Sequence, residues 1–207
     1  MLKPHRNKFI YKIFAWYIGR LINTDFKTFD FNRVPFDANR SILVLCNHFS
    51  WWDGFFIFQI NRLYFRKAFH VMITEENYKK VWFLKYLGSF SVRKNSRSIV
   101  ESLEYAGKLL DDPQNLVLIF PQGKLYSNHL ETIPFEKGLI NLVNSSNRKF
   151  QYIFAAIFSD FFANRKPSIQ CYLTKWEAEE FTSLQLIKST FNKHYETSRQ
   201  QQAHITI

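Results

Sequence analysis

Cysteine is nearly missing from this chain of 207 residues, where Cys46 and Cys171 are the whole complement. Both sit inside apolar runs without metal-ligand spacing. That argues against a thiolate metal centre and for two buried free thiols in a reducing compartment. A long apolar run is missing too. The nearest candidate, residues 9–22, reads FIYKIFAWYIGRLI, with Lys12 and Arg20 interrupting it. A spanning helix needs roughly 20 residues, so this stretch is not expected to cross a membrane. No small-residue cleavage site follows it, so no signal peptide is expected. Repeats, low-complexity tracts and linkers are not seen either, and 1–207 reads as one domain. Acidic residues are the minority, 17 against 28 basic ones, for a net charge of +11. Such a balance implies anionic partners (nucleic acid, anionic lipid or a phosphorylated substrate) without choosing among them.

Aromatic residues, by contrast, are abundant: 23 Phe, 10 Tyr and 5 Trp make up 18% of the chain. A core does not need that many rings, so some are expected at a surface that meets lipid or another apolar partner. Within 9–22 the apolar positions Phe9, Ile10, Ile13, Phe14, Tyr17, Ile18 and Leu21 recur at helical spacing among basic residues. Residues 1–24 therefore read as an amphipathic helix. It either lies in a membrane interface or docks on its own domain, and the pattern leaves both open.

Six short β-like runs punctuate the rest: 41–46, 69–74, 89–93, 116–120, 152–158 and 168–173. Several are continuously apolar, as strands covered on both faces are. Helical patterns lie between them, notably Ile99, Leu103, Ala106 and Leu110, then Leu184, Ile187, Phe191 and Tyr195. Alternating strands and helices predict a single α/β domain with a mostly parallel or mixed sheet flanked by helices. The Gln-rich end, 198–207, is expected to form a flexible tail.

One segment carries candidate chemistry, Asn47-His48-Phe49-Ser50-Trp51-Trp52-Asp53-Gly54. His48 falls just past the predicted strand 41–46, where open α/β sheets build their sites. Five residues separate it from Asp53. Within one helix that offset would set the side chains about 140° apart, so they meet only if His48 precedes a helix and Asp53 lies in its first turn. Ser50 is placed to cap that turn, with Asp53 three residues on as in a capping box. Spacing alone leaves two readings open: a His–Asp dyad for general-base catalysis, or a helix cap with a bystander histidine.

Asn-His-x-Ser-x-x-Asp resembles the first motif of the glycerolipid acyltransferases, the family of 1-acylglycerol-3-phosphate acyltransferases. Three further stretches match in order. Leu87-Gly88-Ser89-Phe90-Ser91-Val92-Arg93 looks like the second motif, Phe120-Pro121-Gln122-Gly123 the third, usually Phe-Pro-Glu-Gly, and Phe135-Glu136-Lys137-Gly138 the Phe-Lys-x-Gly that commonly follows. Together they span roughly 40–160. The resemblance implies acyl transfer from acyl-CoA or an acyl carrier protein to a lipid hydroxyl, with no metal and no cofactor beyond that donor. His48 would be the base, Asp53 its partner and Arg93 a phosphate ligand. Ser50, Pro121, Gln122, Gly123 and Lys124 would contact substrate, with backbone amides near Gly123 holding the oxyanion.

The third motif departs from the usual Phe-Pro-Glu-Gly-Thr-Arg-Ser. Gln122 keeps the shape of glutamate without its charge, and Leu125 stands where the family has a phosphate-binding arginine, with Lys124 beside it. A non-phosphate acceptor therefore stays open: a glycolipid, an acylated amino acid or a glycosylated pigment. The 153–156 stretch also lacks the proline usual in the fourth motif. The expected protein is a peripheral enzyme on the cytoplasmic face of an anionic membrane. Two readings compete, a basic nucleic-acid-binding protein and an acyl-chain-binding protein without catalysis; a condensation-type acyltransferase is set aside on motif spacing and length. Of the other histidines, His70 is expected in a strand, His129 near enough to the third motif to approach the site, and His194 and His204 exposed.

Overall fold

The computed structural model describes residues 1–93, 96–178 and 182–206. Seven strands form one mixed sheet: β1 (Thr28–Phe31), β2 (Ile42–Cys46), β3 (Ala68–Thr74), β4 (Ser89–Val92), β5 (Asn115–Ile119), β6 (Gln151–Asp160) and β7 (Ser168–Trp176). Their order is β1-β7-β6-β2-β5-β3-β4, and every pairing is parallel except β6 with β7. The expected runs all appear as strands. β1 was not anticipated: its four residues, TFDF, alternate exposed and half-buried at the sheet edge and carry no continuous apolar signal.

Alternation along the central strands builds two cores. On β2, Ile42, Val44 and Cys46 face one side with Leu116 and Leu118 of β5, while Leu43 and Leu45 face the other with Val117 and Ile119. This is why β2 and β5 read as unbroken apolar runs: both faces are covered. The first face is covered by α1 (Lys8–Asp25) and α2 (Asp53–Ile60), with short irregular turns at Asn61–Phe65 and Leu84–Leu87. The second is covered by α4 (Ser96–Leu109), α5 (Leu139–Asn144) and α6 (Leu184–Ala203). A further short helix, α3 (Glu75–Lys80), follows β3 directly, capped by the Thr74 hydroxyl. Each fully buried ring in these layers, Phe56, Phe58, Phe90 or Phe154, contributes about 1.5–3 kcal/mol relative to an exposed one.

α1 uses its two faces differently. Ala15, Ile18, Gly19 and Ile22 are buried against the domain, which is the docked arrangement. Phe9 (73% exposed), Ile13, Trp16 (62%) and Tyr17 remain open on the outside. Phe14 stacks on Phe83 at 4.4 Å and meets Trp82, itself exposed, edge-on at 5.3 Å, so the apolar surface continues off the helix. No helix among the described residues is long and apolar enough to cross a membrane.

The C-terminal end corrects two expectations. Helix α6 runs through the segment expected to be a flexible tail and ends at Ala203, with residue 207 outside the described residues. Ser198 is buried, and Gln202 donates to Asp160 and accepts from the Tyr172 hydroxyl, so side chains tie this end to the sheet despite its polar composition. His194 is not exposed: its Nε2 meets the Tyr172 carbonyl at 3.1 Å, and burial pushes its pKa down to about 4. His204 is exposed and His70 lies in β3, as expected.

Candidate active site

β2 and β5 run side by side and parallel, with Leu45 opposite Ile119, so the loops that leave their carboxyl ends emerge together. Asn47 anchors the first loop. Its side-chain amide donates to the Ile157 carbonyl (2.9 Å) and accepts from the Ile157 N–H (2.8 Å) on β6. His48 follows, half-buried, and the chain turns over Trp51 and Trp52 into α2.

His48 and Asp53 do meet. The His48 Nδ1 to Asp53 Oδ2 distance is 2.9 Å. An ionised carboxylate only accepts, so Nδ1 carries the proton and Nε2 keeps its lone pair. The same Oδ2 accepts from the N–H groups of Phe49 and Ser50, both at 2.8 Å. The capping geometry is thus half of the one expected: Asp53 reaches back to Ser50, but the Ser50 hydroxyl accepts from the Trp52 N–H instead of capping α2. The spacing of five places Asp53 as the first residue of the helix, with His48 ahead of it. One carboxylate oxygen thus holds both the turn amides and the imidazole.

Asp53 is fully buried, and its Oδ1 has no hydrogen-bond partner among the described residues. Burial raises its pKa above the usual carboxylate value, opposed by His48 and by the two backbone N–H groups. A buried carboxylate stripped of a partner typically costs about 3–5 kcal/mol, so His48 and the turn amides hold this charge in place.

The second loop packs around His48. Phe120 lies flat against the imidazole, ring centroids 3.9 Å apart and planes 15° from parallel. Gln122, 2% exposed, accepts from the His48 N–H and donates to its carbonyl at 3.4 Å. The Tyr126 N–H donates to that carbonyl as well, at 3.0 Å. Gly123 holds a positive φ of 66°, and a Cβ there would press Glu136 Cγ at 3.0 Å. The Phe135–Gly138 stretch thus braces this loop, since the Glu136 N–H also donates to the Pro121 carbonyl.

From His48 a groove of about 310 Å³ runs between α2 and the β3–β4 edge. Trp51, Phe55, Phe58, Phe69, Val71 and Leu87 give it apolar walls, while Phe120, Gly123, Lys124 and Leu125 stand at the His48 end. Gly88 makes the close packing at the other end possible. With φ at 96°, any Cβ would lie 1.8 Å from the Phe69 carbonyl oxygen, so only glycine fits.

The remaining expected site residues divide. Gly123 and Lys124 line the groove, but the Gly123 N–H closes a turn onto the Phe120 carbonyl at 3.1 Å and is not free for an oxyanion. Pro121 and Gln122 are buried beneath the loop and do not line it, so neither is placed to contact substrate. Ser50 is a turn residue outside the lining. Arg93 sits past the end of β4, next to the lining residue Val92, with its guanidinium paired to Glu75. Lys79 pairs with the same carboxylate at 2.6 Å, and the two cations hold Glu75 down at a pKa of about 2. His129 is exposed and borders a different cavity, beside Asp160 and Arg199. Sequence reasoning missed Asn47 and Phe120 as supports of His48. Their signal was position alone, one residue before the histidine and one before the third motif's proline.

No curated protein matches the chain. A family model described as Acyltransferase matches residues 30–157, more than half of the chain and all the motif segments.

Proposed function

This chain belongs to the acyltransferase family, of the glycerolipid type, and is an acyltransferase; from that premise we propose that it esterifies a hydroxyl of a lysophospholipid or related polar lipid, with His48 as general base. The donor is an acyl thioester, acyl-CoA or an acyl carrier protein. The observation that carries this reading is the 2.9 Å His48–Asp53 bond at the mouth of an apolar groove. Apolar walls suit an acyl chain, and His48 Nε2 is left to take a proton.

The acceptor hydroxyl gives its proton to Nε2 as its oxygen attacks the thioester carbonyl. Asp53 stabilises the imidazolium that forms. The carbonyl electrons move onto oxygen, and backbone amides beyond Gly123, beginning with Lys124, are the nearest donors to that oxyanion in this reading. Collapse re-forms the carbonyl and expels the thiolate, which takes the proton back from His48. The products are an ester and a free thiol. With a net charge of +11 and the open aromatic face of α1, the enzyme works peripherally at an anionic membrane surface, on the cytoplasmic side.

A second reading, a non-phosphate acceptor, is favoured by Arg93 being engaged by Glu75 and by Leu125 at the groove. The experiment offers the purified protein acyl-CoA or acyl carrier protein with lysophosphatidic acid or an uncharged glycolipid, and identifies products by mass spectrometry. The expected result is transfer to the phosphorylated acceptor, with KM about tenfold higher in Arg93→Ala. Transfer to the uncharged lipid alone, with KM unmoved, selects the second reading. Absence of transfer from either donor to either lipid overturns both.

A further inference from the structure

A buried amide can hold a residue of another segment through two hydrogen bonds, one to its N–H and one to its carbonyl, as Asn47 does to Ile157. Gln122 makes the same pair to His48, accepting from its N–H and donating to its carbonyl. We propose that Gln122 is a positioning residue: its amide fixes the height and tilt of the His48 backbone so that the imidazole stays between Asp53 and Phe120. The inference rests on His48 being the base.

The geometry leaves His48 few other supports. Nδ1 is held by Asp53, the ring face by Phe120, and the carbonyl is shared with the Tyr126 N–H. Among the described residues Gln122 alone contacts the His48 N–H, and being 2% exposed it has little water to exchange with. A glutamate here would behave differently in its two states. Protonated, it accepts through its carbonyl and donates through its O–H, reproducing both bonds. Ionised, it only accepts, and turns a bare oxygen toward the His48 carbonyl. Burial and the neighbouring Asp53 carboxylate favour the protonated state. The other titratable groups around this position are His48 on the same turn and Lys124, Tyr126 and Glu136 on the loop that follows.

The test follows wild type, Gln122→Glu and Gln122→Met through two readouts: kcat from pH 5 to 10, and the His48 ring signals by NMR of histidine-labelled protein over the same range. Wild-type kcat over this range is the reference profile. Gln122→Glu is expected to match it at low pH, then fall below it on the alkaline side as the introduced carboxyl ionises, with an inflection in the His48 signals at the same pH that wild type lacks. Gln122→Met, lacking both bonds, is expected to lose kcat by about 10–100-fold at all pH values, with the donor KM within about twofold. A wild-type profile for Gln122→Glu, or wild-type kcat for Gln122→Met, overturns the proposal. An inactive wild type defeats the function reading instead. The NMR inflection then still decides the positioning role: its presence supports it and its absence overturns it.

Discussion

At Asp53 the demands of stability and of the proposed base catalysis oppose each other. Its carboxyl is buried, its pKa is raised by that burial, and its Oδ1 has no partner among the described residues. A carboxyl whose pKa is higher folded than unfolded contributes stability fully below the unfolded value, near 3.8, and that contribution is lost as pH rises through the folded value. At neutral pH the ionised group therefore weighs against the fold. Asp53→Asn keeps an acceptor for the turn amides and removes the charge. Its Tm at pH 7 is expected to equal or exceed wild type by about 2–4 °C, and its dependence on pH above 4 should flatten. Its kcat should fall by about 10²–10⁴-fold, because the amide no longer stabilises the imidazolium. Thermal scans from pH 4 to 8 beside a turnover assay check both; a Tm well below wild type would show that the charge holds the turn. The contact of His48 with Asp53 was one of two readings that the spacing left open, and the ordered motifs pointed to it. The positioning contact of Gln122 was not: its type at that position says nothing of a buried amide turned toward another loop, because β2 and β5 are far apart in sequence and become neighbours only by pairing.

Among the elements, α1 shows where a pattern and a fold part company. The periodicity from Phe9 to Leu21 marks a helix correctly, yet the buried stripe is Ala15, Ile18, Gly19 and Ile22. Small residues let α1 approach the domain: a Cβ on Gly19 would come within 2.8 Å of the Arg62 guanidinium. Larger rings were left outside. The helix's C-terminal neighbour Phe26 meets Trp52, which adjoins Trp51 in the groove lining, so α1 passes close to the turn between His48 and Asp53. If its outer face meets lipid, Phe9→Ser with Trp16→Ser should weaken binding to anionic vesicles by about tenfold or more while leaving Tm unchanged, since both rings are largely exposed. Co-sedimentation measures this, and binding should weaken further as salt rises. Unchanged binding would move the lipid contact elsewhere.

Across the whole molecule, the sheet order decides which motifs can act together. β2, β5, β3 and β4 are consecutive neighbours and all parallel, so four separate stretches of sequence deliver their loops to one end. Continuous apolar runs made β2 and β5 legible; β1, short and alternating at the edge, was not. The polar C-terminal segment was misread because composition does not register that Gln202 has partners on the sheet. What the topology assembles is one histidine, held on three sides, facing an apolar groove. The direct measurement is acceptor-dependent thiol release from an acyl thioester by wild type and by His48→Ala, each checked for native fold by circular dichroism. Loss of about 10²–10⁴-fold in kcat in a folded variant is the predicted result. Turnover by folded His48→Ala within about tenfold of wild type, a loss of under about 1.4 kcal/mol, would contradict the assignment of His48 as the base.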